Sequence, residues 1–343
     1  MKALLKKENG YGNMELVEID EPTINDDQVK IKVAYSGICG SDIHSYKGEY
    51  KNLRPPVVLG HEFSGVVVEV GKNVKGIKVG DKVTSETTFY ICGECDYCKS
   101  VDYNLCPDRK GIGTQVNGSF AEYVVARKES IHVLPDNVDL LSASITEALA
   151  CAVHAVLEKT NVELGDVVLI FGPGPIGLLT AQIVKARGGY VILAGLTKDE
   201  DRFKVARELG IDKTVDIEKE NLEEIVSTLT NGYGVDKVFE CSGSVKALNS
   251  GISLVRKKGT IVQVGIFAKA YNEVDLEKIV QKEICYIGSR SQKPSSWKLA
   301  LYLLETGKVN AKAIISDIYD LEDWSEAFEK VMKGEGLKAV LKP

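Results

Sequence analysis

From Met1 to Val83, short β-branched runs such as Val29 to Val33 and Val66 to Val70 alternate with glycine turns such as Gly71-Lys72-Asn73 and Gly80-Asp81. Runs of strand length bounded by turns predict an antiparallel, barrel-like β domain. After the strand-like Phe120 to Val125 and the turn Pro135-Asp136-Asn137 the pattern changes, and Leu140 to Leu157 carries apolar residues at helical spacing. Val167 to Phe171 is then apolar at every position, as in a parallel strand covered on both faces. Strict alternation follows: helix at Leu178 to Ala186, strand at Tyr190 to Ala194, helix at Arg202 to Leu209, strand at Thr214 to Asp216, helix at Leu222 to Leu229, strand at Lys237 to Glu240, helix at Val245 to Val255, strand at Thr260 to Val264. That order predicts a doubly wound parallel sheet. Two helical stretches, Trp297 to Glu305 and Trp324 to Met332, come next, and Leu337 to Leu341 is expected to return as a strand to the first domain. The chain therefore reads as α/β with two domains, residues 1–150 with 288–343, and residues 151–287.

Composition changes this picture little, and charge narrows it. The 343 residues are 44% hydrophobic and 27% charged, an ordinary globular balance with enough chain for two cores. Lysine and arginine are mixed with acids throughout and the formal net charge is -6, so neither nucleic acid nor an anionic membrane meets a basic face. Met1-Lys2-Ala3-Leu4-Leu5-Lys6-Lys7 lacks the apolar core of a signal peptide, and no apolar run is long enough to span a bilayer, so a soluble cytoplasmic protein is expected. Eight cysteines are too few for a disulfide scaffold of this size, and the four between Cys92 and Cys106 point to metal. Cys151, Cys241 and Cys285 lie in apolar surroundings and are expected to be buried thiols.

Cys92-Gly-Glu-Cys95-Asp-Tyr-Cys98 followed by Cys106 has the spacing that turns four thiolates onto one ion. Four thiolates suit a closed tetrahedral zinc with no position left for substrate, in a structural lobe over residues 88–110. A second donor set is sparser. Gly60-His61-Glu62 follows the Pro55-Pro56 turn, and His61 is expected to hold a metal, although a histidine beside a strand is more often a hydrogen-bonded structural residue. Cys39, in the polar loop Gly37-Ile38-Cys39-Gly40-Ser41-Asp42-Ile43-His44, is the candidate thiolate. Glu147 is flanked by Ile145, Ala148 and Leu149, which suggests burial with a partner, whereas His154 reads as a packing residue.

Gly172-Pro173-Gly174-Pro175-Ile176-Gly177 falls directly between a buried strand and a helix, which makes this G-x-G-x-x-G a dinucleotide site. The glycines permit a tight turn and close approach to a pyrophosphate at the helix N-terminus, and Pro175 sits where its missing N–H is harmless. Ser242, Gly243 and Gly265 follow strand ends, where ligands bind in such sheets. Gly195 stands where an NAD-preferring fold ends its second strand in an acid for the ribose hydroxyls. With Thr197, Lys198 and Arg202 as donors, this predicts NADP(H) over NAD(H), with Asp199, Glu200 and Asp201 running against it unless they face solvent.

A cysteine loop, a Gly-His-Glu, a four-cysteine lobe and a dinucleotide fold, in that order, resemble the zinc-containing medium-chain alcohol dehydrogenases along essentially the whole chain. Gly-Ile-Cys-Gly-Ser-Asp-x-His brings the likeness closest to the sorbitol (polyol) and threonine dehydrogenases. The resemblance implies a GroES-like β-barrel catalytic domain, a Rossmann cofactor domain, one structural and one catalytic zinc per subunit, and an NAD(P)-dependent oxidation of a secondary alcohol, most simply a polyol. L-Threonine and a polyol phosphate are the alternative substrates, and a catalytically silent nucleotide-binding relative is the non-enzyme alternative.

By position, Cys39 and His61 resemble ligands of the catalytic zinc, and Glu62 the carboxylate that binds it or exchanges with its water. Glu147 stands where a second cysteine is expected in the Cys₂His site and matches the polyol group's glutamate, which reaches zinc directly or through water. Fewer thiolates leave the ion a stronger Lewis acid. Ser41 resembles the first relay hydroxyl; His44 either passes the proton on to solvent or supports the ligands or a cofactor phosphate. Tyr46, Arg290 and Ser289 are further pocket and cofactor candidates. The segment Cys285 to Ile287 resembles the strand through which subunits pair, implying a homodimer or homotetramer.

Overall fold

In the strand Gln28–Gly37, Val29, Ile31 and Val33 are buried while Lys32 between them is exposed, so one face meets a core and the other meets water. This computed structural model describes all 343 residues, which divide into two compact units. The first comprises Met1–Glu147, Gln292–Glu305 and Ile315–Pro343; the second comprises Ala148–Ser291 and Thr306–Ile314. The sequence boundaries at 150/151 and 287/288 compare with breaks after Glu147 and after Ser291, and residues 306–314 group with the second unit. No helix is long and apolar enough to cross a membrane.

The first unit opens with β1 (Lys2–Lys6), β2 (Met14–Glu18), β3 (Gln28–Gly37), α1 (Gly40–Tyr46), β4 (Val57–Val58), β5 (Glu62–Val70) and β6 (Lys82–Ser85). It continues through β7 (Thr88–Tyr90), α2 (Asp96–Lys99), β8 (Lys110–Gly111), β9 (Tyr123–Arg127), β10 (Ile131–Val133) and α3 (Leu140–Ala143); α4 (Thr146–Val153) begins at the end of the first unit and continues in the second, running on as a π-helical turn over His154–Glu158. The polar segment read as a loop between Gly37 and His44 is a helix from Gly40. Asp42 reaches back to the Cys39 N–H at 2.9 Å, satisfying a donor at the helix start, and Ile43 is buried beneath.

In the second unit, β11 (Val167–Phe171), α5 (Pro175–Ala186), β12 (Tyr190–Gly195), α6 (Glu200–Glu208), β13 (Lys213–Asp216), α7 (Leu222–Leu229), β14 (Val235–Glu240), α8 (Val245–Leu254), β15 (Val255–Gln263), α9 (Leu276–Gln281) and β16 (Cys285–Gly288) alternate as expected. All pairings are parallel and the order is β13-β12-β11-β14-β15-β16, the dinucleotide-binding arrangement whose direction of winding reverses between β11 and β14. Leu169, Ile192, Val215, Val238 and Ile261 on its strands form one buried cluster with Leu248 and Ile252 of α8. Cys285, expected to be buried, is exposed together with its neighbour Tyr286 on β16, because the start of this edge strand is left uncovered.

The chain ends with α10 (Pro294–Glu305), β17 (Ile315–Asp320), α11 (Trp324–Lys333) and β18 (Lys338–Lys342). The seven-stranded sheet of the first unit runs β10-β6-β5-β3-β18-β17, with β9 also on β3. Its register places Gly37 opposite both Glu62 of β5 and Val340 of β18. Three segments distant in sequence therefore meet at the end of β3, next to Cys39.

Candidate metal centre and cofactor site

In the lobe between β7 and β8, the four Sγ atoms of Cys92, Cys95, Cys98 and Cys106 lie within 4.8 Å of one another. Cys92 is 3.8 Å from Cys98 and 3.7 Å from Cys106. A tetrahedral zinc with its usual bond to sulfur has edges of about 3.8 Å, and a disulfide would need about 2 Å. N–H groups of Cys95 and Glu94 hold the Cys92 thiol down to about 7, whereas burial pushes Cys98 up to about 12 and also raises Cys95. The group cannot shed all its protons near neutrality without a cation at its centre, and the spacing fits zinc.

The second cluster brings Cys39, His61 and Glu62 together, again with donor atoms within 4.8 Å. Gly60 sets the approach of His61: its φ is +88°, and a Cβ there would meet Phe120 Cδ1 at 2.6 Å. Asp42, buried in α1, orients the whole group. One of its oxygens accepts from the Cys39 N–H, while the other accepts from the Gly60 N–H at 3.4 Å and lies 3.6 Å from His61 Nδ1. His61 Nδ1 is buried without a hydrogen bond of its own, so Asp42 stands as the carboxylate behind a metal-ligating histidine, and Nε2, 3.4 Å from Ser41 Oγ, is the nitrogen left for the ion. Burial opposes a charge on His61, but the carboxylate of Asp42 and then Cys39 outweigh it and hold its pKa well above the ordinary histidine value. This is an environment built to keep a positive charge, and it suits a metal cation.

Glu62 is 1% exposed and both its oxygens are taken by Lys338 of β18, at 2.9 and 2.7 Å. Lys338 Nζ also donates to Ile38 O at 3.1 Å. Burial lowers the lysine's affinity for its proton, yet Glu62 and then Cys39 more than compensate, so its pKa is raised. Glu147 lies outside the close triad, buried, with Oε1 accepting from Gln292 Nε2 at 2.9 Å, and Gln292 also reaches Thr87 Oγ1 at 3.3 Å. Ser41 is half-buried at the triad. His44 is exposed with Nδ1 2.7 Å from Glu49, and Tyr46 packs edge-on against Tyr11, Trp324 and Phe328, the last ring more tilted. Sequence reading missed Asp42, Lys338 and Gln292 as site residues. Only Asp42 had a local signal, an acid three residues after Cys39 in a helix-starting pattern.

The glycine-rich turn follows β11 at the reversal of the sheet. Pro175 opens α5, with Gly174 at its cap. A Cβ on Gly177 would lie 1.9 Å from Gly172 O, so only glycine lets the helix start close over the strand. At the end of β12, Gly195 replaces the acid, and beyond it Lys198 is exposed. Thr197 is engaged by acids: its hydroxyl donates to Asp216 at 2.8 Å and its N–H to Glu218 at 2.9 Å. Asp199, which counts against NADP unless it faces solvent, is buried and pairs with Arg202 at 3.1 Å, because it also caps the Leu196 N–H. Ser242 and Gly243 follow β14, Gly265 follows β15, and past β16 the Ser289 N–H donates to Gln263 O while Arg290 is exposed.

Residues 25–136 match the alcohol dehydrogenase GroES-like domain, and residues 175–306 match the zinc-binding dehydrogenase family. The chain is 55% identical to D-arabitol-phosphate dehydrogenase of Enterococcus avium over 99% of its length and 97% of that protein's. It is 53% identical to sorbitol dehydrogenase of Halalkalibacterium halodurans over 100% of its own length and 99% of that protein's. Among solved structures, a zinc-binding dehydrogenase of Sinorhizobium meliloti bound to NADP superposes with a TM-score of 0.92 at 30% identity, covering 100% of this chain and 99% of that one. With four thiolates at zinc spacing, a Cys-His-Glu cluster and an NAD(P)-binding sheet in one chain, the protein belongs to the zinc-containing medium-chain alcohol dehydrogenase family.

Proposed function

We propose that the protein is a polyol dehydrogenase that moves hydride between a secondary alcohol of a sugar alcohol, or of its phosphate ester, and NADP. The observation that carries this reading is the donor set at the second cluster: one thiolate from Cys39, with His61 and Glu62 close beside it, and a carboxylate, Glu147, where a simple alcohol site has a second thiolate. Full-length identity above one half to two polyol-acting relatives supports it, and the D-arabitol-phosphate relative keeps the phosphate ester in the substrate class. A threonine 3-dehydrogenase of Bacillus velezensis is further away, at 37%.

Zinc, when bound, supplies a Lewis acid to the substrate oxygen, and the nicotinamide accepts the hydride. Cys39 and His61 would hold that zinc, with Glu62 and Glu147 as the carboxylates beside it. Ser41, on the metal-facing side of His61, takes the hydroxyl proton, and His44, exposed and braced by Glu49, exchanges it with solvent. If Ser41→Ala leaves the chemical step and its pH profile unchanged, the relay is wrong.

Support for NADP(H) comes from Gly195 in place of an acid and from Lys198, an exposed cation just beyond it; Asp216 and Glu218 beside Thr197, and the buried Asp199 that engages Arg202, weigh the other way. Lys198→Ala is then expected to lower kcat/KM for NADP by about tenfold and to spare NAD. Subunits pair through β16, whose outer edge has no neighbour and exposes Cys285 and Tyr286, giving a dimer or tetramer that light scattering would size.

A panel of sugar alcohols, sugar alcohol phosphates, threonine and simple secondary alcohols, each with both cofactors, tests the whole reading. Highest kcat/KM on threonine or a simple alcohol would overturn it.

A further inference from the structure

We propose that Glu240, a residue with no surface exposure at the end of β14, is the positioning residue that assembles the cofactor-binding face of the second unit. Its carboxylate has no lysine, arginine or histidine partner; its hydrogen-bond donors come from two separate stretches of chain. Oε1 accepts the Ser242 N–H at 2.9 Å and the Ser242 hydroxyl, and Oε2 accepts the Gly243 N–H at 2.9 Å and Gln263 Nε2 at 2.6 Å. The same Gln263 amide donates to Gly265 O at 2.7 Å, and the Val264 and Gly265 N–H groups return to Glu240 O at 2.9 and 2.8 Å. The turns after β14 and β15 are thus fastened to one another through one side chain. The turn after β11 is packed on the first of them, since a Cβ at Gly172 would meet Ser242 Cβ at 3.0 Å.

A charge buried this completely is retained only where its hydrogen bonds are all made and the arrangement they impose is used. These three turns lie at the carboxyl ends of adjacent strands on either side of the point where the sheet reverses, which is where a dinucleotide lies in such folds. The inference rests on dinucleotide binding alone and is independent of which alcohol is oxidised.

The test uses the zinc-containing enzyme and reads NADPH and NADH affinity directly, by the fluorescence change of the reduced nicotinamide, without substrate. Glu240→Gln keeps size and shape but turns one acceptor into a donor that faces donors. It is expected to weaken dinucleotide binding by about tenfold or more and to raise cofactor KM in step, with kcat at saturating cofactor within about threefold of the parent. Ser242→Ala and Gln263→Leu each remove one donor, are milder, and are expected to weaken binding by about threefold to tenfold, so they carry the test if Glu240→Gln does not fold. Asp236→Asn is the stability control: it breaks a carboxylate that holds Arg256 and the Val167 N–H at the opposite end of the same strand, and it is expected to leave dinucleotide affinity unchanged. Unaltered nucleotide affinity in the Glu240 and Gln263 variants, or an equal loss in Asp236→Asn, overturns the proposal.

Discussion

Replacing Lys338 by Met would remove the only cation paired with Glu62 while keeping most of the side chain's volume. The pair is sealed, at 6% and 1% side-chain exposure, and the ammonium meets three acceptors within 3.1 Å. Breaking a buried pair from one side strands the other charge, which costs about 3–5 kcal/mol, whereas an exposed pair such as Lys72–Asp26 is worth about 0–1 kcal/mol. For a unit of this size that corresponds to roughly 6–20 °C in Tm for zinc-free protein. The same stranded carboxylate lies beside Cys39 and His61, so a divalent cation there relieves it: zinc affinity rises in the variant and the stability deficit shrinks on loading. Denaturant melts of zinc-free and zinc-loaded protein, run on Lys338→Met, Glu62→Gln, the double variant and Lys72→Met, measure both signs at once. A deficit below about 1 kcal/mol without zinc, or the same deficit with and without it, would show that the ammonium does not neutralise Glu62 as described.

Asp42→Asn is expected to lower zinc affinity at the Cys39–His61 site by about 10–100-fold, read by competition with a chromophoric chelator, because the carboxylate that faces His61 Nδ1 and holds the Cys39 N–H is replaced by a neutral amide. The four-cysteine lobe should lose zinc with falling pH. Cys95 and Cys98, both raised by burial, must give up protons on loading, so affinity falls by at least about a hundredfold per pH unit, and more steeply below about 7, where Cys92 also holds its proton. Chelator titrations at pH 6, 7 and 8 check the slope, and a pH-independent affinity would rule out thiolate ligation.

Much of the architecture was readable because it is local. The strict alternation from Val167 onward sets strands and helices within a few residues of where they lie, and Leu222–Leu229 falls where its apolar spacing puts it. The cysteine spacing likewise holds all four donors of one site within fifteen residues of sequence. What stayed hidden is non-local or depends on the orientation of single side chains. Cys285 looks buried by its neighbours but points outward from an edge strand. Asp199 looks solvated in an acidic run but turns inward to cap Leu196 and hold Arg202. Lys338 reaches Glu62 only because β18 lies on one edge of β3 and β5 on the other, a register that no window of sequence contains.

That register changes the charge argument at the open site. Counted from the sequence, Cys39, Glu62 and Glu147 look like three negative groups around one ion, more than the two thiolates of a Cys₂His site supply. In the folded chain Lys338 cancels Glu62, and Glu147 lies outside the close triad with an oxygen occupied by Gln292. Cys39 is then the one uncompensated anion among the close donors, so a zinc held there keeps about one net positive charge, where two thiolates would leave about none. A carboxylate in place of a thiolate therefore makes the centre more electrophilic for as long as the lysine stays on Glu62. The two members of the Lys338–Glu62 pair have opposite consequences. Glu62→Gln, which strands the Lys338 ammonium beside the site, should lower the pKa governing kcat/KM, whereas Lys338→Met, which releases the Glu62 charge onto the site, should raise it. An unshifted pKa in Lys338→Met would show that the lysine does not hold the Glu62 charge off the metal.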